Sequence, residues 1–313
     1  MTLSSQSIIF FQMNHHNSVG IFLKPGIHEE FKNLLPYLVN WLNKRGKKVL
    51  FLDSDVERVK VFLKNHKESH TYFLVKPSEL FSKIDLIISL GGDGTLLGVC
   101  RSPELKSTPI MGINLGNLGF ITEFNKVDFY EKLQLFFKNK LSIISKDLYQ
   151  AKVYRGSKVV FTMSFINDAV ITKKNISRML SLDVQCDQEM IYNLFGDGLI
   201  VSTTTGSTAY SLAAGGPIVH PGVNALILTP ICPHGLTHRP LVIPDKSKIT
   251  INSRGNSTDL NLTIDGQVFF ELKKTDRVII TKNKTKKIKL LKNPDRYYFD
   301  TLKEKFVLGK REG

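Results

Sequence analysis

The residues with the clearest chemical potential are Gly91-Gly92-Asp93-Gly94-Thr95. They follow an apolar run, Leu86-Ile87-Ile88-Ser89-Leu90, and precede a helical pattern over Leu96 to Arg101. A strand, a glycine turn and a helix start make a place where backbone N–H groups can point at phosphate. Glycines let the backbone approach a bulky anion without a Cβ clash. A carboxylate inside such a turn repels phosphate, so its presence suggests a task. Asp93 could bind a metal ion or take a proton from a hydroxyl beside a phosphate. Alternatively it merely caps the helix.

A second polar constellation runs from Phe195 to Pro217 and contains Asp197-Gly198 and Thr203-Thr204-Thr205-Gly206-Ser207-Thr208-Ala209-Tyr210. Hydroxyls and amides at a helix start after an apolar strand suit sugar hydroxyls and phosphates. The alternative is a Ser/Thr-rich turn with an N-cap. Asn167-Asp168, at the end of Met163 to Ile166, is a third polar pair; alone it is ordinary turn chemistry. No G-x-x-x-x-G-K-[ST] occurs, and Leu97 stands where a dinucleotide fingerprint needs its third glycine. His234 and His238 are four residues apart, but the surrounding prolines oppose a helix, so loop packing is expected there rather than a metal site.

The elements that must hold these residues change character along the chain. Up to about residue 145, strand-like and helical patterns alternate. Strands are expected at Val19–Leu23, Val49–Leu52, Thr71–Val75, Ile84–Leu90 and Ile110–Leu115, and helices near 29–44, 56–65 and 129–137. This reads as a parallel sheet covered on both faces, with ligands at the carboxyl ends of its strands. Beyond it the pattern is mostly β, with strands near 149–154, 159–165, 169–172, 180–184, 248–252, 260–264, 268–272 and 278–280. One helix is expected near 207–214, and a hairpin turn at Asp265-Gly266. The final segment, 295–308, reads as helix returning to the first domain. The expected division is an α/β domain over 1–146 with 287–313 packed back on it, and a β-rich domain over 147–286.

The chain has 313 residues, 42% of them apolar, which allows two domains with sizeable cores. No apolar run reaches membrane-spanning length and no signal peptide is evident. The three cysteines form no C-x-x-C pair, as expected for a reduced, cytoplasmic protein. The net charge of +15 is concentrated from Lys273 to Gly313, where 11 Lys and 3 Arg face 5 acids. A solvated basic edge strand explains that cluster, and it lacks the aromatic interleaving of single-strand binders. Neither nucleic acid nor membrane is an expected partner. The first 17 residues carry no readable function.

Taken together, these motifs resemble the NAD kinase family. The resemblance rests on Gly91 to Thr95, Gly112 to Thr122, Asn167-Asp168, Asp197-Gly198 with Thr205 to Tyr210, Gly215 to Ile218, Pro233 to Pro240 and Asp265-Gly266-Gln267. It implies a Rossmann-like α/β domain with a phosphofructokinase-like nucleotide turn, joined to a β-rich domain. It also implies transfer of the γ-phosphate of ATP to the 2′-hydroxyl of the adenosine ribose of NAD, with a divalent cation such as Mg²⁺. Asp93 would be the proton acceptor, and Gly91, Gly92, Gly94 and Thr95 the ATP phosphate turn. The NAD contacts implied are Asp93, Gly94, Asn167, Asp168, Arg178, Asp197, Thr208, Ala209, Tyr210, Ser211, Leu212, Ala213 and Gln267. No protein metal ligand is implied, and a homo-oligomer, dimer or tetramer, is. Departures from the family pattern are Phe195 for a basic residue, Thr204 for proline and Ala213 for serine. A non-catalytic nucleotide sensor and a lipid or sugar kinase are the competing readings. A sensor has no need for Asp93, and those kinases are expected to lack the Thr-Gly-Ser-Thr-Ala-Tyr loop.

Overall fold

The computed structural model describes residues 17–63, 71–116, 119–174, 179–235, 237–254 and 260–306. The chain divides into two compact units, residues 1–146 with 288–313, and residues 147–287.

The first unit starts with β1 (Ser18–Leu23), α1 (Glu30–Asn43), β2 (Lys48–Leu52), α2 (Val56–Leu63), β3 (Phe73–Val75) and α3 (Pro77–Lys83). It continues with β4 (Leu86–Gly91), α4 (Asp93–Arg101), β5 (Pro109–Asn114), β6 (Phe124–Asn125) and α5 (Phe129–Phe137). The sheet is parallel in the order β3-β2-β1-β4-β5, with β6 beside β5. Strands β1, β4 and β5 are buried at every position, in keeping with their nearly continuous apolar runs. Phe31, Leu35, Leu38, Val39 and Leu42 of α1 pack into the same core as Phe124, Phe129 and Leu133. Burying a side chain of this size contributes about 1.5–3 kcal/mol. The polypeptide leaves β4 and β5 at their carboxyl ends, and there the Asp93 turn and residues 114–116 lie, with residues 120–122 bonded to Asp93.

Strand β7 (Ile143–Arg155) carries the chain into the second unit. Then come β8 (Lys158–Phe165), β9 (Asp168–Lys173), β10 (Leu180–Cys186), β11 (Glu189–Gly196), β12 (Gly198–Thr203), a 3₁₀ turn over Gly206–Thr208 and the short α6 (Tyr210–Ala213). After them come β13 (Ala225–Ile231), β14 (Leu241–Pro244), β15 (Ile249–Ser253), β16 (Leu260–Ile264) and β17 (Val268–Leu272). One antiparallel sheet runs β14-β13-β12-β9-β16-β17. The other orders β11-β10-β15 and then β18 (Asp276–Leu291), with β7 and β8 continuing from it. Inward residues of both sheets, among them Leu182, Leu194, Leu199, Val201, Leu228 and Ile280, form one core. The hairpin turn stands at Asp265 and Gly266, both with positive φ (46° and 65°).

The end of β18 returns to the first unit, where Lys289 and Leu290 pair with β5 in parallel. Helix α7 (Tyr298–Phe306) follows. There Phe306 stacks on Phe120 at 5.7 Å, and Arg296 donates to the Gly119 carbonyl at 3.3 Å.

Several elements depart from the sequence expectation. The helix expected over 207–214 is a 3₁₀ turn followed by four α-helical residues, because Ser and Thr hydroxyls bond the backbone in competition with helix. Strands β11, β13 and β14 and helix α3 carried no clear periodicity. β13 in particular is buried almost throughout and contains Pro230.

Candidate active site

In the first unit, Gly92 is extended and α4 begins at Asp93. The Asp93 side chain makes no capping bond, so the helix-cap alternative does not describe it. Its carboxylate instead turns to residues 120–122. Oδ2 accepts the N–H of Phe120 at 2.8 Å. Oδ1 accepts the N–H of Thr122 at 2.9 Å, its hydroxyl at 2.7 Å and, more weakly, the N–H of Ile121 at 3.3 Å. Four donors thus hold one carboxylate in place, and charge-assisted bonds of this kind are among the stronger ones. A carboxylate offers about four lone-pair sites, two on each oxygen. Oδ1 is filled, while Oδ2 retains acceptor capacity. The close approach depends on Gly119, where a Cβ would lie 2.0 Å from Asp93 Oδ1. Gly91 ends β4, and Gly92, Gly94 and Thr95 shape the same turn; Gly94 is exposed and Thr95 half-buried.

In the second unit, Asn167, Asp168, Ala209 and Tyr210 line one cavity of about 390 Å³ together with Asp265 and Gly266. The cavity forms where β9 begins beside the end of β12, with Asp168 opposite Ser202. Thr203 N–H donates to the Asn167 carbonyl at 2.8 Å, and the Thr203 hydroxyl donates to the Ile166 carbonyl. Gly206 packs on the same segment, and a Cβ there would lie 2.2 Å from the Asn167 carbonyl oxygen. From the hairpin, Asp265 accepts the N–H groups of Asn167 (2.8 Å), Asp168 (3.2 Å) and Ile166 (3.3 Å).

Two polar groups in this cavity have unusual states. Asn167 Oδ1 is buried and has no hydrogen-bond partner among the described residues. A buried acceptor left this way costs stability unless a ligand donor fills it. Asp168 is buried, and its carboxyl is pushed up to about 7 by burial and then by the neighbouring Asp265 carboxylate. Near neutral pH it can therefore either donate a hydrogen bond or accept one.

The other expected contacts are placed differently. Thr208 is half-buried next to Ala209, and its hydroxyl reaches the Thr205 carbonyl at 3.4 Å. Ser211 is fully buried and bonds Thr229 at 2.8 Å. Leu212 and Ala213 continue α6. Asp197 pairs with Lys173 at 2.6 Å, and Gln267 is exposed beyond the hairpin turn. None of these six residues lines the cavity. Arg178 lies outside the described residues. Of the departures, Phe195 is half-exposed with its ring edge-on to His234 at 6.1 Å, and the Thr204 carbonyl accepts the Ser207 hydroxyl at 2.7 Å. The expected loop packing holds for His238, which stands within 3.4 Å of the Gly235 carbonyl. Among the described residues no group of three or more His, Cys, Asp or Glu could hold a metal ion.

Sequence reasoning did not single out Asn114, Gly119, Thr122 or Asp265 as individual functional residues. Their signal was their place inside the segments Gly112–Thr122 and Asp265–Gln267. The bonds that Thr122 gives to Asp93 span 29 positions and those that Asp265 accepts span 97 to 99.

Comparison with known proteins agrees with this arrangement. The family model described as the ATP-NAD kinase N-terminal domain matches residues 19–141, and that of the ATP-NAD kinase C-terminal domain matches 166–292. The NAD kinase of Solibacter usitatus is 36% identical over 294 residues, covering 94% of this chain and 98% of its own. That of Syntrophotalea carbinolica is 37% identical over 293 residues, covering 94% and 99%. The crystal structure of yeast NADH kinase complexed with NADH superposes with a TM-score of 0.85 at 25% identity, covering 95% of this chain and 89% of that one. An NAD kinase from Archaeoglobus fulgidus in complex with ATP shares the fold, with a TM-score of 0.69 at 22% identity and coverage of 93% and 98%. The protein is thus an enzyme of the kinase class with a two-domain fold. It belongs to the ATP-NAD kinase family, whose substrates are ATP and NAD.

Proposed function

We propose that this chain transfers the γ-phosphate of ATP to the 2′-hydroxyl of the adenosine ribose of NAD, with Asp93 as the proton acceptor. A bond forms between O2′ and the γ-phosphorus while the bond from that phosphorus to the β-bridging oxygen breaks. ADP departs, and the hydroxyl proton passes to Asp93 Oδ2. Such transfer depends mainly on positioning and charge stabilisation. A ribose hydroxyl is a weak nucleophile near neutral pH and needs a base or a metal beside it. The observation that carries this reading is the Asp93 carboxylate, fixed by four donors with Oδ2 still able to accept.

Gly91, Gly92, Gly94 and Thr95 present the turn to the ATP phosphates, which suits the first unit to the nucleotide-phosphate role. In the second unit, Asn167 and Asp168 supply the NAD contacts favoured by the orphaned amide oxygen and the raised carboxyl. Ala209 and Tyr210 add apolar surface against the dinucleotide. Asp197, Thr208 and Gln267 are outer contacts, while Ser211, Leu212 and Ala213 shape the loop behind Tyr210. Arg178 keeps its proposed NAD contact on the family resemblance alone. A Mg²⁺ ion keeps several waters and rarely uses an all-protein cage, so the substrate phosphates beside the Gly91–Thr95 turn would hold it, with no protein ligand. When bound, the ion would neutralise phosphate charge. A cytoplasmic location and a dimeric or tetrameric state complete the proposal on the resemblance; light scattering after size exclusion tests the latter.

The deciding assay is NADP formation from NAD, ATP and Mg²⁺, read through an NADP-specific dehydrogenase, with Asp93→Asn in parallel. Activity in the wild type that is lost in the variant is expected. Equal activity in both would keep the reaction and remove Asp93 as the base.

A further inference from the structure

Thr122 is fully buried and Asn114 nearly so, and neither has a role in the reaction as described. Their hydrogen bonds have a direction that can be read without seeing a proton. The Gly116 N–H, which can only donate, meets Asn114 Oδ1 at 2.9 Å. That fixes the orientation of the amide, so Nδ2 is the end facing Thr122 Oγ1 at 3.0 Å. An amide nitrogen can only donate, so Thr122 Oγ1 accepts there. A threonine hydroxyl has one proton, and the remaining partner is Asp93 Oδ1 at 2.7 Å. The proton therefore points at the carboxylate. With the Thr122 and Ile121 amides, this donor occupies Oδ1 completely.

We infer that Asn114 and Thr122 are positioning residues that dictate which oxygen of Asp93 meets the substrate hydroxyl. The relay from the Gly116 amide through Asn114 and Thr122 saturates Oδ1 and holds the carboxylate plane, leaving Oδ2 as the reacting atom. This inference rests on the proposed role of Asp93. The whole relay lies within the first unit and uses residues of β5 and the segment after it.

The test uses the full-length enzyme and the variants Thr122→Val, Thr122→Ser and Asn114→Asp, with Asp93→Asn alongside. Thr122→Val keeps the shape and removes the proton. Asn114→Asp is nearly isosteric but cannot donate, so the Thr122 hydroxyl is drawn to residue 114 and away from Asp93. Both are expected to lower kcat by about 10- to 100-fold, the scale seen for partners that orient an active group. The KM values for NAD and ATP should stay within about threefold, because the donor acts on the reacting group and not on substrate binding. Thr122→Ser restores the donor and should restore most of kcat. The double variant should be no slower than the slower single one, since both break the same relay. Loss of activity in Asp93→Asn with full kcat in Thr122→Val overturns the relay alone. Failure of serine to rescue, or a rise in KM without a fall in kcat, also overturns it by assigning Thr122 to packing. Full activity in Asp93→Asn overturns the reading of Asp93 and the relay with it. If Thr122→Val does not fold, Asn114→Asp and Thr122→Ser decide by the same criteria.

Discussion

Replacing Gly119 with alanine would put a methyl group where the Asp93 carboxylate already is. The new Cβ would lie 2.0 Å from Oδ1, 2.4 Å from Cγ and 2.5 Å from Oδ2. Gly119 does not have a positive φ, so alanine meets no backbone strain of its own and the whole effect is steric. Something must move by an ångström or more. Swinging the carboxylate aside breaks the bonds from Phe120 N–H, Thr122 N–H and the Thr122 hydroxyl, at 2.8, 2.9 and 2.7 Å. Hydrogen bonds to charged groups contribute about 1.5–3 kcal/mol each, and water replaces part of that at a half-exposed side chain. A net loss of about 2–4 kcal/mol is expected from three such bonds. The catalytic effect should be larger, because a misplacement of about 1 Å can cost about 10²-fold and loss of a general base about 10²–10⁴-fold. The assays are NADP formation and thermal unfolding of Gly119→Ala, each repeated in an Asp93→Ala background. Once the carboxylate is gone the methyl group has nothing to strike, so the same substitution should there cost almost nothing in stability. Gly119→Ala with kcat near wild type, or an equal stability loss in both backgrounds, would refute the steric account.

Three further outcomes follow from buried groups. The folded-state value of Asp168, about 7, lies above its ordinary value of 3.8, so the folded chain holds a proton that the unfolded chain releases. Stability contributed by this group therefore falls as pH rises from about 4 through 7, by at most about 4 kcal/mol. Asp168→Asn should flatten that fall, and equal differences in unfolding midpoint between pH 5 and pH 8 in both proteins would reject it. Asp276 is buried and accepts both Arg155 Nε and Nη2 at 2.8 Å, with Lys273 N–H at 2.9 Å. Burial raises its carboxyl, but these partners outweigh burial and leave it below the usual carboxylate range. Its contribution is thus present above about pH 4 and lost as pH falls below it, and Asp276→Ala should destabilise the protein by about 1–3 kcal/mol near neutral pH, since the Arg155 left behind is partly exposed, measured by denaturant titration. Gly206→Ala would drive a Cβ to 2.2 Å from the Asn167 carbonyl oxygen, which as backbone cannot swing away. NAD affinity by calorimetry should fall at least about tenfold, because the Asn167–Asp168 segment must shift; unchanged affinity would remove that segment from the NAD site.

The parallel sheet was legible because β1, β4 and β5 are almost continuously apolar, which suits a strand covered on both faces. The β-rich second unit was legible from strands of alternating polarity such as β10 and β16. Strand β11 was harder to see: as an edge strand it exposes Met190 and Phe195, which blurs the alternation. Asp93 could be singled out because a carboxylate between glycines is chemically incongruous. Its environment could not, because Thr122 is 29 residues away and reaches it only once β4 and β5 are adjacent. The same holds for Asp265, which looked like a hairpin residue and is one, while also holding three amides of the 166–168 segment. Ser211 illustrates the opposite case. A hydroxyl in a polar loop suggested ligand contact, but burial against Thr229 gives it a structural bond that no local pattern could have revealed.

The two carboxyl groups of greatest interest have contrasting settings, and the contrast is informative about their work. Asp93 sits half-exposed at the start of α4, ringed by four donors and close to where phosphate is proposed to bind. Those donors fix the orientation of the carboxylate, which a proton acceptor needs in order to meet the hydroxyl. Asp168 is buried at the wall of a half-open cavity with another carboxylate near it, and that setting favours the protonated form. A group that can be protonated near neutral pH suits recognition of a neutral sugar or base edge, to which it can donate. A permanently charged Asp168 would be left buried beside Asp265. Asp93→Asn and Asp168→Asn, assayed side by side, should therefore differ in kind. Asp93→Asn should abolish kcat with NAD still bound, while Asp168→Asn, which keeps a donor, should raise the KM for NAD modestly and leave kcat within about tenfold. If the two substitutions gave the same kinetic signature, the division of labour read from their surroundings would be wrong.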